Sequence, residues 1–215
     1  METLLKKYFP QIDSLQTERL LSLVDIYKTW NEKVNLVSRK DVHNIGLHHI
    51  LHSLALVKFL NFKPGTKVLD LGTGGGFPGI PLSIMMPEVN FLLIDGTLKK
   101  IRVVQDVIAK LDLQNVSARQ VRAEELKGQY DFIITRAVAS LNQLLLWSSH
   151  LINPEDNNAL PNGIVAYKGG NITNELKELG SNYFYDVMEI SENFDEPWFQ
   201  EKYLIYIQNK KEAIS

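Results

Sequence analysis

Residues 68–79 read VLDLGTGGGFPG, and residues 91–95 read FLLID. In both stretches an apolar run that suits a buried strand ends on a carboxylate, Asp70 in the first and Asp95 in the second. A glycine-rich turn follows the first strand, as it does where a parallel sheet lets its backbone approach a ligand closely. The pattern predicts a Rossmann-like α/β fold with a pocket for an adenosine-containing cofactor at the carboxyl ends of the strands.

The glycine spacing alone does not decide which cofactor binds. Gly74, Gly76 and Gly79 match the dinucleotide fingerprint, but the carboxylate of Asp70 would repel a pyrophosphate. S-adenosylmethionine carries a cationic sulfonium and a cationic ammonium, which an acidic group attracts. We therefore interpret the site as one for S-adenosylmethionine, with Asp95 placed to accept hydrogen bonds from the ribose. A turn with a purely structural role is the alternative.

Composition limits the class of protein. The chain has 215 residues, 45% of them hydrophobic and 22% charged, which is enough for one α/β domain and a helical extension. We expect no membrane span and no signal peptide. The absence of cysteine excludes disulfides and thiolate chemistry and fits a cytoplasmic protein, which we expect to be monomeric. Because the net charge is −2, nucleic-acid binding would depend on a local basic surface.

Alternating apolar strands and amphipathic helices follow residue 64 and predict a mostly parallel sheet with right-handed crossovers. The predicted strands cover residues 67–71, 90–94, 116–119, 130–135, 163–167, 184–190 and 202–208. The predicted helices between them lie near residues 78–86, 97–111, 140–151 and 171–179. A short link joins the last two strands, so we expect them to pair antiparallel and leave one reversed strand among seven.

The first 60 residues have helical periodicity. Thr17 is the predicted N-cap of a long first helix, and a second helix is predicted from Asp41 to the break at Pro64. We therefore divide the chain into a helical extension, residues 1–63, packed on the core, and a methyltransferase domain, residues 64–209.

Polar side chains follow four successive predicted strands. They belong to the glycine loop, to Asp95, to Arg122–Glu124 and to Thr135–Arg136. In an open α/β sheet these positions share the edge at which the ligand binds. This agreement between four strand ends is stronger evidence for a binding site than any single motif.

Several separated segments together resemble the bacterial RsmG family, also called glucose-inhibited division protein B. These segments are Trp30–Ser38, His49–Ser53, Asp70–Leu82, Arg136–Leu141 and Lys168–Gly169. The resemblance covers nearly the whole chain, and its most specific parts are GFPGIPL at residues 76–82 and RAVASL at residues 136–141. It implies a class I, S-adenosylmethionine-dependent methyltransferase that acts on N7 of a guanine in the 530 loop of 16S ribosomal RNA.

The resemblance also implies roles for individual residues. Gly72, Gly74 and Phe77 would line the cofactor at the glycine loop beside Asp70, and Ala123 and Glu124 would lie beside the adenine. Arg136 would close the pocket near the methyl group or the incoming base, and Lys168 would face RNA. At positions 48 and 52 the family commonly has arginine and aspartate, whereas this chain has His48 and His52. That departure weakens any essential role in RNA binding for this segment.

The expected chemistry needs little from the protein's acids and bases. Guanine N7 has a free lone pair and loses no proton when it is methylated, so no general base is required. Arg136 is then expected to position the cofactor carboxylate or an RNA phosphate, with a structural ion pair as the alternative. The candidate RNA contacts are the basic residues Arg39, Lys99, Lys100, Arg102 and Lys168, each of which could instead belong to a solvated surface.

Other interpretations are weaker. His48 and His52 have the spacing of some zinc sites but no third ligand at motif distance, so we expect no metal. Trp198 is interpreted as a hydrophobic anchor rather than an RNA contact. A methyltransferase of another RNA or of a small molecule, a cofactor-binding module without catalysis, and an NAD-linked oxidoreductase remain as alternative functions.

Overall fold

A seven-stranded sheet forms the centre of the computed structural model, which describes residues 1–38 and 40–209. The strands are β1 Lys67–Leu71, β2 Asn90–Asp95, β3 Val116–Gln120, β4 Phe132–Arg136, β5 Gly163–Gly169, β6 Tyr183–Glu189 and β7 Lys202–Asn209. Their order is β3-β2-β1-β4-β5-β7-β6, and only β7 runs antiparallel to its neighbours. The predicted mostly parallel sheet with one reversed strand is confirmed, and the predicted strand ends differ from these by one or two residues.

The helices cover both faces of the sheet. The α-helices are α1 Glu2–Tyr8, α2 Ser14–Asn31, α3 His52–Leu54, α4 Leu56–Phe59, α5 Gly79–Met85, α6 Leu98–Lys110, α7 Leu141–Ser148 and α8 Thr173–Lys177. One buried cluster joins Leu20 and Tyr27 of α2 to Phe132 and Val165 of the sheet. A second cluster places the apolar side of α7 against the opposite face. Since residues 1–63 and the sheet share one hydrophobic cluster, the boundary at residue 63 stays a prediction.

The start of α2 differs from the prediction. Its N-cap is Asp13, whose side chain accepts a hydrogen bond from the backbone N–H of Gln16 at 2.7 Å, while the Gln16 side chain accepts the N–H of Asp13 at 3.3 Å. Thr17 lies within the first turn, where its hydroxyl donates to the Asp13 carbonyl at 2.8 Å. The prediction of Thr17 as N-cap is wrong because a reciprocal capping box one turn earlier satisfies the first N–H groups.

The second predicted helix is present but irregular. It begins with a 3₁₀ turn, Val42–Asn44, continues as a π-helix, Ile45–Leu51, and ends as α3 and α4. Asp41 precedes the first turn without capping it through its side chain. A π-helix is rare and often marks a functional site, since its wider turn changes which side chains share a face.

None of the helices in residues 1–38 and 40–209 has both the length and the apolar character that a membrane span needs.

Candidate active site

The side chain of Asp70 stabilises the glycine loop between β1 and α5 by hydrogen bonds. One carboxylate oxygen, Oδ2, accepts hydrogen bonds from the Thr73 hydroxyl at 2.6 Å and from the Gly79 N–H at 2.8 Å. Asp70 is fully buried and lines neither cavity of the cleft described below. Burial raises the pKa of Asp70 from 3.8 to about 6, against the opposing effect of the two hydrogen bonds.

This position corrects the expected role of Asp70. We expected its carboxylate to attract the cationic cofactor directly, but the side chain turns inward because the Thr73 hydroxyl and the Gly79 N–H, two donors of its own loop, lie beneath the turn. The structure therefore supports a role for Asp70 in shaping the binding loop rather than in lining the pocket.

Two glycines of the loop have a positive φ, which favours glycine. Gly72 has φ +70°, and a Cβ there would come within 2.5 Å of Val138, so no side chain fits. Gly74 has φ +58°, and a Cβ there would meet no atom within 4 Å. The backbone at Gly74 thus borders open space that any side chain would begin to fill.

Asp95 holds the same loop from the end of β2. Its Oδ2 accepts the Gly74 N–H at 3.0 Å, and its Oδ1 accepts the Thr97 N–H at 2.8 Å. Each carboxylate oxygen can accept a second hydrogen bond, so these contacts leave acceptor capacity for ribose hydroxyls. Lys100 lies 3.9 Å from Oδ2 and keeps a positive charge beside the carboxylate.

Two cavities meet at Gly72 and form one cleft along this edge of the sheet. The smaller cavity, of about 320 Å³, includes Gly72, Asp95, Ala123, Glu124 and Trp147 in its wall. The larger cavity, of about 730 Å³, includes Gly72, Gly74, Phe77, Arg136 and Trp198. Every predicted cofactor residue except Asp70 therefore lines the cleft.

The smaller cavity suits the adenosine part of S-adenosylmethionine. Asp95 offers carboxylate oxygens, and a Cβ at Gly96 would meet no atom within 4 Å, so the wall is open there. Ala123 is buried and Glu124 exposed in the short 3₁₀ turn after β3, which presents backbone and carboxylate groups beside apolar Ile94. This mixture of acceptors and apolar surface matches a nucleoside.

Arg136 brings a half-buried positive charge to the end of β4. Its Nη2 lies 3.1 Å from His49 Nδ1, its Nη1 donates to the His48 carbonyl at 3.4 Å, and its guanidinium lies 5.3 Å from the Phe77 ring centroid. Among the described residues it forms no ion pair with a carboxylate. The described residues therefore do not support a structural ion pair of Arg136. Its guanidinium retains N–H groups that can bind an anion.

A chain of hydrogen bonds fixes the orientation of Arg136. Since arginine only donates, His49 Nδ1 must accept, so His49 carries its proton on Nε2 and donates it to Asp41 Oδ2 at 2.6 Å. His48 Nδ1 binds the other oxygen of Asp41. Burial lowers the pKa of His49 from 6.5 to about 4, and the charge of Arg136 acts in the same direction, so His49 is neutral at pH 7.

Sequence reasoning missed this chain. Asp41 was interpreted as a helix start, and His49 was only part of a motif. The one signal available was a lone acidic residue seven and eight positions before two adjacent histidines. That spacing brings them together only because the intervening residues form a 3₁₀ turn followed by a π-helix.

Some of the predicted RNA-binding residues line the larger cavity and others do not. Lys100 lines the larger cavity, and Lys99 and Arg102 are exposed on α6 beside it. The ammonium of Lys168 also reaches this wall, but it is bound to Glu175 at 2.7 Å and to the Ala139 carbonyl at 2.7 Å. Arg39 lies outside the described residues. Lys202, which sequence reasoning missed, lines the same cavity.

Solved structures of low sequence identity share this fold. The ribosomal protein L11 methylase of Lactobacillus delbrueckii subsp. bulgaricus matches with a TM-score of 0.54 at 15% identity, over 75% of this chain and 77% of that one. A precorrin-6y C5,15-methyltransferase from Geobacter metallireducens matches with a TM-score of 0.52 at 15% identity, over 81% and 91%. These likenesses show that the chain has the fold of class I methyltransferases.

The family follows from sequence comparison. The family model described as "GidB: rRNA small subunit methyltransferase G" matches residues 16–194. Proteins named ribosomal RNA small subunit methyltransferase G are 46% identical in Flavobacterium johnsoniae, over 95% of this chain and 96% of the relative, and 45% identical in Bacteroides thetaiotaomicron, over 97% and 100%. The chain belongs to the rRNA small subunit methyltransferase G family, and the resemblance seen in its motifs is confirmed.

Proposed function

We propose that this protein transfers the methyl group of S-adenosylmethionine to N7 of a guanine in the 530 loop of 16S ribosomal RNA. The observation that carries the proposal is the cleft, in which a nucleoside-sized cavity and a larger cavity with positively charged walls meet at Gly72. Membership of the rRNA small subunit methyltransferase G family supports ribosomal RNA as the substrate.

The cofactor would lie across the meeting point of the two cavities. Asp95 would accept hydrogen bonds from the ribose, while Ala123 and Glu124 would border the adenine. Gly72 and Gly74 would let the backbone approach the methionine part, and Phe77 would give it an apolar contact. Asp70 would contribute indirectly, through the loop conformation that it stabilises.

Arg136 would bind an anion rather than the base itself. When N7 is methylated the guanine becomes cationic, so a guanidinium in contact with the ring would oppose the reaction. A carboxylate or a phosphate, in contrast, gains from a half-buried arginine that has no carboxylate partner among the described residues. The cofactor carboxylate and an RNA phosphate are the two anions at hand.

The residues of the cleft fit a reaction that needs no general base. Bound S-adenosylmethionine supplies an electrophilic methyl group, and the attacking nitrogen has no proton to lose. His49 sits close to Arg136, but both of its ring nitrogens are engaged. What the chain supplies is alignment of the two reactants and exclusion of water.

The test compares 16S ribosomal RNA from a strain that lacks the gene with RNA from the same strain carrying the wild-type gene. Mass spectrometry of the nucleosides around the 530 loop should show 7-methylguanosine only when the gene is present. Purified protein and S-adenosylmethionine should restore it on small subunits from the deletion strain. An unchanged modification pattern in the deletion strain contradicts the proposal and leaves a methyltransferase of another RNA or of a small molecule.

A further inference from the structure

Trp198 lies in the wall of the larger cavity rather than in the core. It belongs to a short 3₁₀ turn, Pro197–Phe199, between β6 and β7. Its neighbour Phe199 is fully buried and packs on Phe194 with ring centroids 4.9 Å apart, and Trp198 packs at the edge of the same hydrophobic cluster. Trp198 is only half-buried.

The rings around Trp198 hold it in one orientation. The His48 imidazole stacks on the indole with centroids 4.2 Å apart and planes 13° apart, and His52 meets it edge-on at 5.0 Å. His48 is itself held by Asp41. His48 and His52 are therefore the residues that build this aromatic surface around Trp198.

The indole N–H has no acceptor among the described residues. Trp30, a half-buried tryptophan outside the cleft, donates its N–H to Asp106 at 2.7 Å, as a structural tryptophan is expected to do. Trp198 thus offers a polar edge to whatever enters the larger cavity, and a base that stacks on its ring has to displace the Lys202 ammonium that lies over it.

The charges around this surface suit a polyanion. Lys202 Nζ lies 5.1 Å from the indole centroid, and neither Lys202 nor Arg136 forms an ion pair within residues 1–38 and 40–209. The one acidic residue described in this cavity wall is Asp41, whose two oxygens bind His48 and His49. An aromatic face beside unpaired cations is the arrangement that recognises single-stranded nucleic acid.

We propose that Trp198, held by His48, is a stacking surface for an unpaired base of the substrate RNA, and that Lys202 contacts a phosphate of the same strand. The proposal rests on the proposed function, because the ligand is the ribosomal RNA. The larger cavity then receives a base that has left its own stack and brings the strand towards the methyl group. Arg136, which donates to the His48 carbonyl and contacts the His49 ring, stays at the cofactor end.

The direct test uses a short single-stranded RNA with one 2-aminopurine, whose fluorescence is quenched when it stacks on an aromatic ring. Wild-type protein should quench the probe. Trp198→Leu should abolish the quenching and weaken binding about tenfold, as expected for the loss of one stacked base, whereas Trp198→Phe should keep most of both. The matched control Trp30→Phe should behave as the wild type.

Lys202→Gln gives a second readout, because it removes a positive charge and keeps a polar side chain. It should lower the salt dependence of binding by about one phosphate contact while the bound probe remains quenched. Thermal unfolding and S-adenosylmethionine affinity, measured for each variant, show which proteins are folded. If Trp198→Leu fails to fold, the quenching by Trp198→Phe and the salt dependence of binding by Lys202→Gln test the proposal instead.

Methyl transfer to small subunits from the deletion strain separates this inference from the proposed function. The KM for subunits should rise about tenfold in Trp198→Leu with the S-adenosylmethionine affinity unchanged. Wild-type values for KM and quenching in Trp198→Leu, or no quenching by the wild type, overturn the stacking surface while the methyltransferase activity stands. Quenching by the wild type without any methyl transfer to ribosomal RNA would support the stacking surface and contradict the proposed function.

Discussion

Arg136 and Asp70 contribute to the cleft in different ways, which their contacts show. Arg136 is half-buried, and His49 and Asp41 orient its guanidinium without neutralising the charge. Asp70 is fully buried and faces its own glycine loop. One residue therefore serves binding directly, and the other serves it through the backbone.

Replacing Arg136 with alanine should reduce the methyl-transfer rate by about 100-fold, the usual cost of one preorganised charged donor. The free energy of unfolding should change by less than about 1 kcal/mol, because no ion pair among the described residues is lost. Single-turnover rates and urea unfolding measure the two effects. Arg119→Ala, exposed at the edge strand β3, is the matched control. An Arg136→Ala protein that mainly loses stability would assign the residue a structural role.

Asp70 should make stability fall as the pH rises. Its pKa is 3.8 in the unfolded chain and about 6 in the folded protein, so between those values the folded state binds more protons. The shift of about two units corresponds to about 3 kcal/mol, fully present below pH 4 and lost above pH 6. His49 acts in the opposite direction, since its pKa falls from 6.5 to about 4 on folding.

The variant Asp70→Asn separates the effect of Asp70 on the pH dependence of stability from that of His49. The free energy of unfolding of the wild type minus that of Asp70→Asn should decrease by about 3 kcal/mol from about pH 4 to pH 6 and stay constant above pH 7. Urea unfolding at a series of pH values measures this difference. A difference that does not depend on pH would mean that the Asp70 carboxyl titrates at its ordinary value.

Among the elements, the helices before the sheet depart most from their predicted form. The periodicity of residues 42–59 indicates a helix, but not that its middle turns are π-helical. The wider turn places His48, His49 and His52 along one cavity wall. In the folded chain Asp41 and Arg136 contact His49 from either side, and the contact with Arg136 joins residues that are far apart in the sequence.

The cap of α2 gives a test at this scale. Asp13→Ala should lower the free energy of unfolding by about 1 kcal/mol, because the first N–H groups of α2 lose their acceptor. Thr17→Ala is the matched control, one turn further on, and should cost less, since its hydroxyl only duplicates a donor already supplied to the Asp13 carbonyl by the helix. Urea unfolding measures both. Equal losses would contradict the capping assignment.

Across the whole molecule, charge is distributed unevenly. The net charge is −2, yet Lys100, Arg136 and Lys202 lie together in the wall of the larger cavity, and Lys99 and Arg102 are exposed beside it on α6. The positive surface needed for RNA is therefore local, as the composition required.

RNA binding should accordingly weaken with salt. Replacing Lys99, Lys100 and Arg102 together with glutamine should lower the slope of log affinity against log salt by about 2 units, because fewer counterions are released. Replacing Lys6, Lys63 and Lys177, exposed lysines outside the cleft walls, is the charge-matched control and should leave the slope unchanged. Binding titrations from low to high salt measure it. Equal slopes in both triple variants would place the RNA elsewhere.

Local sequence patterns were sufficient to predict the mostly parallel sheet, its one reversed strand, the glycine loop and the position of Asp95 and Arg136 at the ends of their strands. They sufficed because apolar periodicity, short links and glycine turns are properties of neighbouring residues. The folded chain was needed to show that Asp70 faces inward, that Asp41 and His49 orient Arg136, and that Trp198 stacks on His48. The orientation of the Asp70 side chain depends on the conformation of its own glycine loop. The other contacts depend on the irregular helix and on packing between segments that are far apart in the chain.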